Sequence, residues 1–209
     1  MILARIQGHP DRGDLHAPLS KALAPLPVEL RIHSSDPPDP WAGYRACLSG
    51  IPGSYSHLLI LQDDAQPCEN FVPALELIAE HNPTVPICLF MGNMPASTAA
   101  VARRQWGKRS YVPLLAAGFV PLVAVLWPVE VAKRFLLWST GHRRVTRADD
   151  GNAARFMRET KQPFLVSVPS LVEHNDFVPS VKGGRDHKPG LEKWRRAMFL
   201  AENALDHKW

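Results

Sequence analysis

Ser56-His57-Leu58-Leu59-Ile60-Leu61-Gln62-Asp63-Asp64-Ala65 is the segment around which the chain is built. Four consecutive apolar residues between polar ones predict a strand buried on both faces, as in the middle of a parallel sheet. Two carboxylates follow where that strand ends, and ligands of open α/β sheets gather at the carboxyl ends of the strands. Adjacent acids there suit Mg²⁺ or Mn²⁺, which prefer oxygen ligands and take the rest from water and phosphate. The same pair also suits an acidic turn capping a helix that begins near Pro67.

Upstream, residues 2–7 read as a strand, followed by the turn Gly8-His9-Pro10-Asp11-Arg12 and a helix over 15–26. A short strand over 28–33, a break at Asp36-Pro37-Pro38-Asp39-Pro40 and a helix over 41–49 complete the approach to the central strand. Downstream, 71–81 is an amphipathic helix and 85–91 a buried strand closing at Gly92-Asn93. A helix over 96–106, a strand over 119–127 and a helix opened by Pro128 follow. A helix over 149–160, a strand over 164–168 and a closing segment over 169–176 come next. The spacing predicts a last helix over 191–205. This alternation predicts an α/β fold with a mostly parallel central sheet flanked by helices on both faces. One main domain is expected over 1–186 and a C-terminal helical extension over 187–209.

Length and composition set the frame. The 209 residues suit one domain with a sizeable core, and 45% hydrophobic against 21% charged residues is a globular composition. Twenty prolines are scattered and act as punctuation between elements. The three cysteines, Cys47, Cys68 and Cys88, have no metal or CxxC spacing, so a reducing, cytoplasmic setting and a role as small buried hydrophobes are expected. The apolar stretch over 112–128 carries prolines and is too short for a membrane span. A formal net charge of +4 is carried in clusters at Arg103-Arg104, Lys108-Arg109, Arg143-Arg144 and 182–196, a pattern compatible with nucleotide or nucleic-acid partners.

Several chemistries are disfavoured. The first strand is followed by no glycine-rich phosphate cradle, and neither Walker A nor G-x-S-x-G occurs. Asp63-Asp64, Asp149-Asp150 and His174 remain at expected strand or helix ends. Two carboxylates and a late imidazole from separate parts of a chain can build a metal site with a base beside it. The plainer alternatives are a helix cap for Asp149-Asp150 and a hydrogen-bonded loop histidine for His174. Trp41, Trp106 and Trp127 are candidates for stacking on sugar or base, with packing the plainer role of each.

The segment Leu58-Leu59-Ile60-Leu61-Gln62-Asp63-Asp64-Ala65, with Asp149-Asp150 ahead of a helix and Pro169-Ser170-Leu171-Val172-Glu173-His174 near the end, resembles small GT-A-fold glycosyltransferases. The likeness is to compact phage and actinobacterial members, similar to the LPS-type glycosyltransferase family. It implies a single GT-A-like domain in which Asp64 and His174 bind Mn²⁺ or Mg²⁺ on the donor's diphosphate. It implies that Asp150 or Asp149 is the base for an acceptor hydroxyl. His9, Pro10 and Arg12 would match the nucleotide-contacting turn, with Gln62 and Asp63 also at the donor. Gln62 departs from the family's acidic D-x-D, since an amide adds no charge at a metal. Lys182 and Arg185, in a glycine-bearing basic stretch, would close over the donor.

The function expected from this resemblance is transfer of a sugar from a nucleotide sugar, with UDP the leading nucleotide, to a hydroxyl acceptor. A hydroxylated base in phage DNA and a cell-surface saccharide are the acceptor candidates. The alternative is a catalytically inactive, nucleic-acid-binding accessory protein, for which Gln62 speaks. A nucleotidyltransferase shares the metal logic but lacks the expected phosphate loop.

Overall fold

The computed structural model of the chain describes residues 1–35, 39–93, 95–115, 120–175 and 196–209. In chain order the elements are β1 (Ile2–Gly8), α1 (Gly13–Ala22), β2 (Val28–Ile32), α2 (Pro40–Leu48), β3 (His57–Gln62) and β4 (Ala65–Pro67). They continue with α3 (Phe71–His81), β5 (Ile87–Cys88), α4 (Ala96–Gln105), β6 (Tyr111–Pro113) and β7 (Ala124–Pro128). The last are α5 (Val129–Gly141), α6 (Asp149–Thr160), β8 (Leu165–Ser167) and β9 (Val172–His174). Asp36, Pro37 and Pro38 of the expected break, Phe119 at the start of an expected strand, residues 191–195 of the expected last helix, and Lys182 and Arg185 all lie outside the described residues.

Seven strands form the main sheet in the order β2-β1-β3-β7-β5-β8-β6. β1 pairs in parallel with β2 and β3, and β5 with β8. β7 runs antiparallel between β3 and β5, and β6 antiparallel beside β8. The α/β class therefore stands, but the sheet is mixed: its pairings divide evenly between the two kinds. The reason lies in β7, whose Ala-Val-Leu-Trp-Pro is buried throughout. A strand buried on both faces shows no alternation, and nothing in an apolar run records its direction.

The side chains of β3 divide the core. Leu58 and Ile60 pack into the cluster of Tyr44, Phe135 and Phe156 from α2, α5 and α6. Leu59 and Leu61 pack with Leu19 of α1 and Phe71, Leu75 and Ile78 of α3. Helices thus cover both faces, and all four β3 residues are fully buried. Each contributes about 1.5–3 kcal/mol of apolar burial.

Residues 196–205 do not form the expected helix. Among them the chain runs extended, with bridges from Leu200 to Ser170 and from Asn203 to Glu69, before a short 3₁₀ turn at Ala204–Asp206. Its backbone is satisfied outward: Met198 N–H donates to Met91 O, Ala201 N–H to Ser170 O, and Ala204 N–H to Glu69 O. Ala201 and Ala204 are buried against the α3 face, which rewards an extended strap over a helix. β9 likewise leaves the main sheet and pairs with the unanticipated β4 in a two-stranded ribbon. Among the described residues no helix is long and apolar enough to cross a membrane.

Candidate functional site

The β1–β3 pairing runs on past the strand ends, where Asp63 N–H donates to Gln7 O at 3.1 Å. Side-chain alternation along β3 then sends Gln62 to the α2 and α6 face and Asp63 to the α1 face. Asp63 is met there by the turn after β1. His9 N–H donates to Asp63 Oδ2 at 2.8 Å, and Arg12 Nη1 donates to Asp63 Oδ1 at 2.6 Å. The same Nη1 reaches Asp64 Oδ2 at 2.9 Å. Both carboxylates are 4% exposed, so a partner of opposite charge is a requirement for their burial.

Local sequence explains how Arg12 arrives. His9 caps a 3₁₀ turn over Pro10–Arg12, its Nδ1 accepting from Asp11 N–H at 3.3 Å, and Pro10 supplies a φ suited to the first position. That turn runs directly into α1, so Arg12 and His16, four residues apart, share one face. His16 Nε2 lies 3.5 Å from Asp63 Oδ2. His16 was not anticipated; its four-residue spacing from Arg12 was the available signal. The approach depends on Gly8, since a Cβ there would stand 2.9 Å from His16 Nε2.

His174 comes from the far end of the chain. Antiparallel pairing of β4 with β9 sets Ala65 opposite His174, and Asn175 N–H donates to Asp64 O at 2.8 Å. His174 Nε2 consequently lies 3.4 Å from Asp64 Oδ2, with the Phe90 ring 6.2 Å from the imidazole. His9, Pro10, Arg12, Asp63, Asp64 and His174 are therefore gathered at one rim. With neutral imidazoles, one guanidinium against two carboxylates leaves the cluster at net −1.

Asp149 and Asp150 sit elsewhere on that rim. Both occupy the first turn of α6, where Asp149 Oδ1 accepts Asp150 N–H and Asp150 Oδ1 accepts Gly151 N–H. Acids in a first turn are favoured by the helix dipole. Asp149 is buried on the face opposite Asp63. Burial, with the Asp149 charge adding to it, pushes the Tyr44 hydroxyl well above its ordinary range, although Trp127 Nε1 donates to it at 2.8 Å. The loop 120–123 links the two regions: Val120 N–H donates to Asp150 O, and Gln62 N–H to Val123 O.

A divalent cation has a partial cradle here. Asp64 Oδ1 is buried without a hydrogen-bond partner, an acceptor left open beside His174. Two ligands each about 2.1 Å from one cation stand about 3.0–3.4 Å apart at octahedral or tetrahedral angles, which the 3.4 Å between His174 Nε2 and Asp64 Oδ2 matches, although Oδ2 also accepts from Arg12. Among the described residues no three His, Cys, Asp or Glu side chains close on one point, and Asp63 is bonded to Arg12. The chain would thus supply two ligands and leave the others to water and phosphate. The thiols offer no nucleophile: burial pushes Cys47 up to about 12, Cys68 to about 11 and Cys88 further still.

No protein-family model matches this chain, and no curated protein matches it. Among solved structures it is similar to A197 from STIV, with a TM-score of 0.51 and 12% identity over 86% of this chain and 87% of that one. At that identity the likeness is one of fold alone.

Proposed function

We propose that the chain is a GT-A-type glycosyltransferase that moves a sugar from a nucleotide-sugar donor, a UDP-sugar first among them, to a hydroxyl acceptor. The observation that carries this reading is the meeting of Asp64 and His174 at the carboxyl end of β3. A bound Mn²⁺ or Mg²⁺ would be held by the Asp64 carboxylate and His174, and would offset charge developing on the departing nucleoside diphosphate. Arg12 adds a second positive group 12% exposed to solvent, placed to turn from the carboxylates to phosphate oxygens. His9 and Pro10 shape the turn that carries it. Gln62, on the other face of β3, is an uncharged hydrogen-bonding group for a ribose or sugar hydroxyl. Asp149 or Asp150 takes the acceptor proton in this scheme, and the acceptor enters from the α6 side. Lys182 and Arg185 complete the donor side in the same reading. A hydroxylated DNA base and a cell-surface saccharide are the acceptors to try, with the host or cell cytoplasm as the setting.

The test is a panel of nucleotide sugars incubated with the protein and Mn²⁺, with and without EDTA, following nucleoside diphosphate release. Metal-dependent release that is lost in Asp64→Asn supports the reading. No hydrolysis or transfer with any donor and any metal overturns it.

A second reading has its own observation. Arg12 bonds to both Asp63 and Asp64, and Gln62 stands where an acid would add charge. A chain that keeps the fold with its acids paired internally to one arginine, and binds nucleic acid without transfer, would look like this. Salt-sensitive DNA binding unchanged by Asp64→Ala, with no donor turnover, would favour it.

A further inference from the structure

One of the basic clusters of this protein stands in a stretch free of acids. Residues 81–129 contain no Asp or Glu and four cations, Arg103, Arg104, Lys108 and Arg109. Removing those four from the 24 Lys and Arg leaves 20, equal to the 20 acids of the chain. All four are exposed. Among the described residues no ion pair reaches any of them, and Arg103 is held by Asn93 Oδ1 at 2.7 Å. Arg103 and Arg104 also complement the carboxyl end of α4. That does not account for Lys108 and Arg109, which lie beyond the helix.

An aromatic stack stands in the middle of this charge. α4 ends in a type II turn, with Trp106 at φ −50°, ψ 128° and Gly107 at φ 70°. Lys108 N–H closes the turn on Gln105 O at 2.9 Å, and Arg109 N–H reaches the same oxygen at 3.2 Å. Position three of such a turn needs a positive φ, which is why glycine follows the tryptophan. The turn leaves Trp106, Lys108 and Arg109 exposed together at the end of α4. Phe199 stacks on the indole at a centroid distance of 4.4 Å and 16° between planes. Trp106 nevertheless remains 41% exposed. An indole stiffened from behind and left open to solvent is a poor use of a core residue and a good stacking surface.

We propose that this turn is a docking platform for single-stranded nucleic acid, with Trp106 stacking on a base and Arg104, Lys108 and Arg109 facing the flanking phosphates. Aromatic surfaces set within cationic grooves are how single strands are held without sequence readout. A duplex offers its phosphates but keeps its base faces stacked inside, so the exposed ring selects the single strand. An acidic peptide would answer the charge and leave the ring unused. The platform is also tied to the rim described above by four consecutive residues. Phe90 lies against His174, Met91 O accepts from Met198 N–H beside Phe199, and Asn93 holds Arg103. The inference does not depend on sugar transfer.

The experiment is fluorescence anisotropy of a labelled twelve-residue oligothymidylate with the full chain, titrated from 50 to 200 mM NaCl without any sugar donor. Wild-type binding should weaken with salt. Arg104→Ala/Lys108→Ala/Arg109→Ala should flatten the log–log slope by about 2, at about 0.7 per cation removed. Trp106→Ala should weaken binding roughly 5- to 150-fold with the slope retained, and Trp106→Phe should restore most of it. Each variant is checked for an unchanged urea midpoint, and Trp106→Phe with the triple variant keeps the test alive if Trp106→Ala unfolds. No binding at 50 mM NaCl, equal affinity for the duplex, insensitivity to both Trp106 variants and the triple variant, or binding only to phosphatidylserine vesicles would each overturn the proposal.

Discussion

His174 Nε2 stands 3.4 Å from Asp64 Oδ2, and the pairing of β4 with β9 fixes that separation. A two-stranded ribbon is a stiff way to hold an imidazole against a carboxylate, because both partners sit at or next to paired positions. If the pair is a cation site, Mn²⁺ binding followed by calorimetry or by the spin resonance of free Mn²⁺ should show one site in the wild type. Asp64→Asn should abolish it, and His174→Gln should weaken it by at least the 10- to 100-fold seen when only an outer-shell partner is lost. Equal Mn²⁺ affinity in all three proteins would separate these residues from any metal.

Arg12 answers both carboxylates with one guanidinium nitrogen, at 2.6 and 2.9 Å. Taking it away leaves two adjacent acids out of water with only His9 N–H and two imidazoles for company. Arg12→Ala should therefore cost about 3–5 kcal/mol, the usual penalty for uncompensating a buried pair. Added Mn²⁺ should restore part of that loss, since a cation that binds the folded state stabilises it by mass action. Urea unfolding with and without Mn²⁺ reads both effects. A loss under 1 kcal/mol would mean that the acids are screened by water.

Much of the fold was legible and part of the site with it. The run 58–61 gave β3, and helix boundaries at 71–81 and 149–160 match the observed α3 and α6. The end of β3 placed Asp63 and Asp64 correctly because the apolar run that marks a doubly buried strand stops at Leu61. What was not legible depended on partners far away in sequence. The direction of β7, the β4–β9 ribbon and the extended strap over 196–205 are each decided by what lies alongside them, not by local pattern. His16 was missed because its spacing from Arg12 tells only that the two share a helix face, not that Asp63 stands opposite. Arg5 was missed because inside a strand of apolar residues it reads as an interruption.

Arg5 is fully buried on β1 and serves as a cap for another element. Its Nη1 donates to Cys47 O at 2.8 Å and Ser49 O at 2.6 Å, its Nη2 to Gly50 O at 2.9 Å, and its Nε to Glu29 at 2.8 Å. Carbonyls at a helix end lack partners within the helix, and here a guanidinium fork supplies them. Burial alone would raise the Glu29 carboxyl, but Arg5 and Arg31 together outweigh it and the group falls below its ordinary value. Arg5→Met should cost about 3–5 kcal/mol by leaving those carbonyls unanswered and Glu29 with Arg31 alone, whose Nη2 donates to it at 2.6 Å. Arg5→Lys should recover little, because an ammonium cannot span the same fork. Denaturation midpoints with unchanged m-values are the check, and full rescue by lysine would count against the fork.

His57 opens β3 and is 4% exposed, with Nε2 3.2 Å from Asn82 O and Nδ1 3.1 Å from Ser56 Oγ. Burial pushes its pKa below the ordinary 6.5, the Asn82 carbonyl opposing and the amino terminus adding slightly to the fall. The unfolded chain therefore takes up the proton first as pH drops. Stability contributed by neutral His57 is complete above pH 6.5 and is lost as the pH falls from there through the lower, folded-state value. His57→Gln can still donate an amide N–H to Asn82 O but cannot titrate. The variant should be less stable than wild type at pH 7.5, and the gap should narrow by pH 5.5 as the wild type alone loses ground. Because the other eight histidines are common to both proteins, the difference between the two curves isolates this one. Parallel curves across pH 7.5 to 5.5 would show that the His57 ring is solvated enough to charge in place.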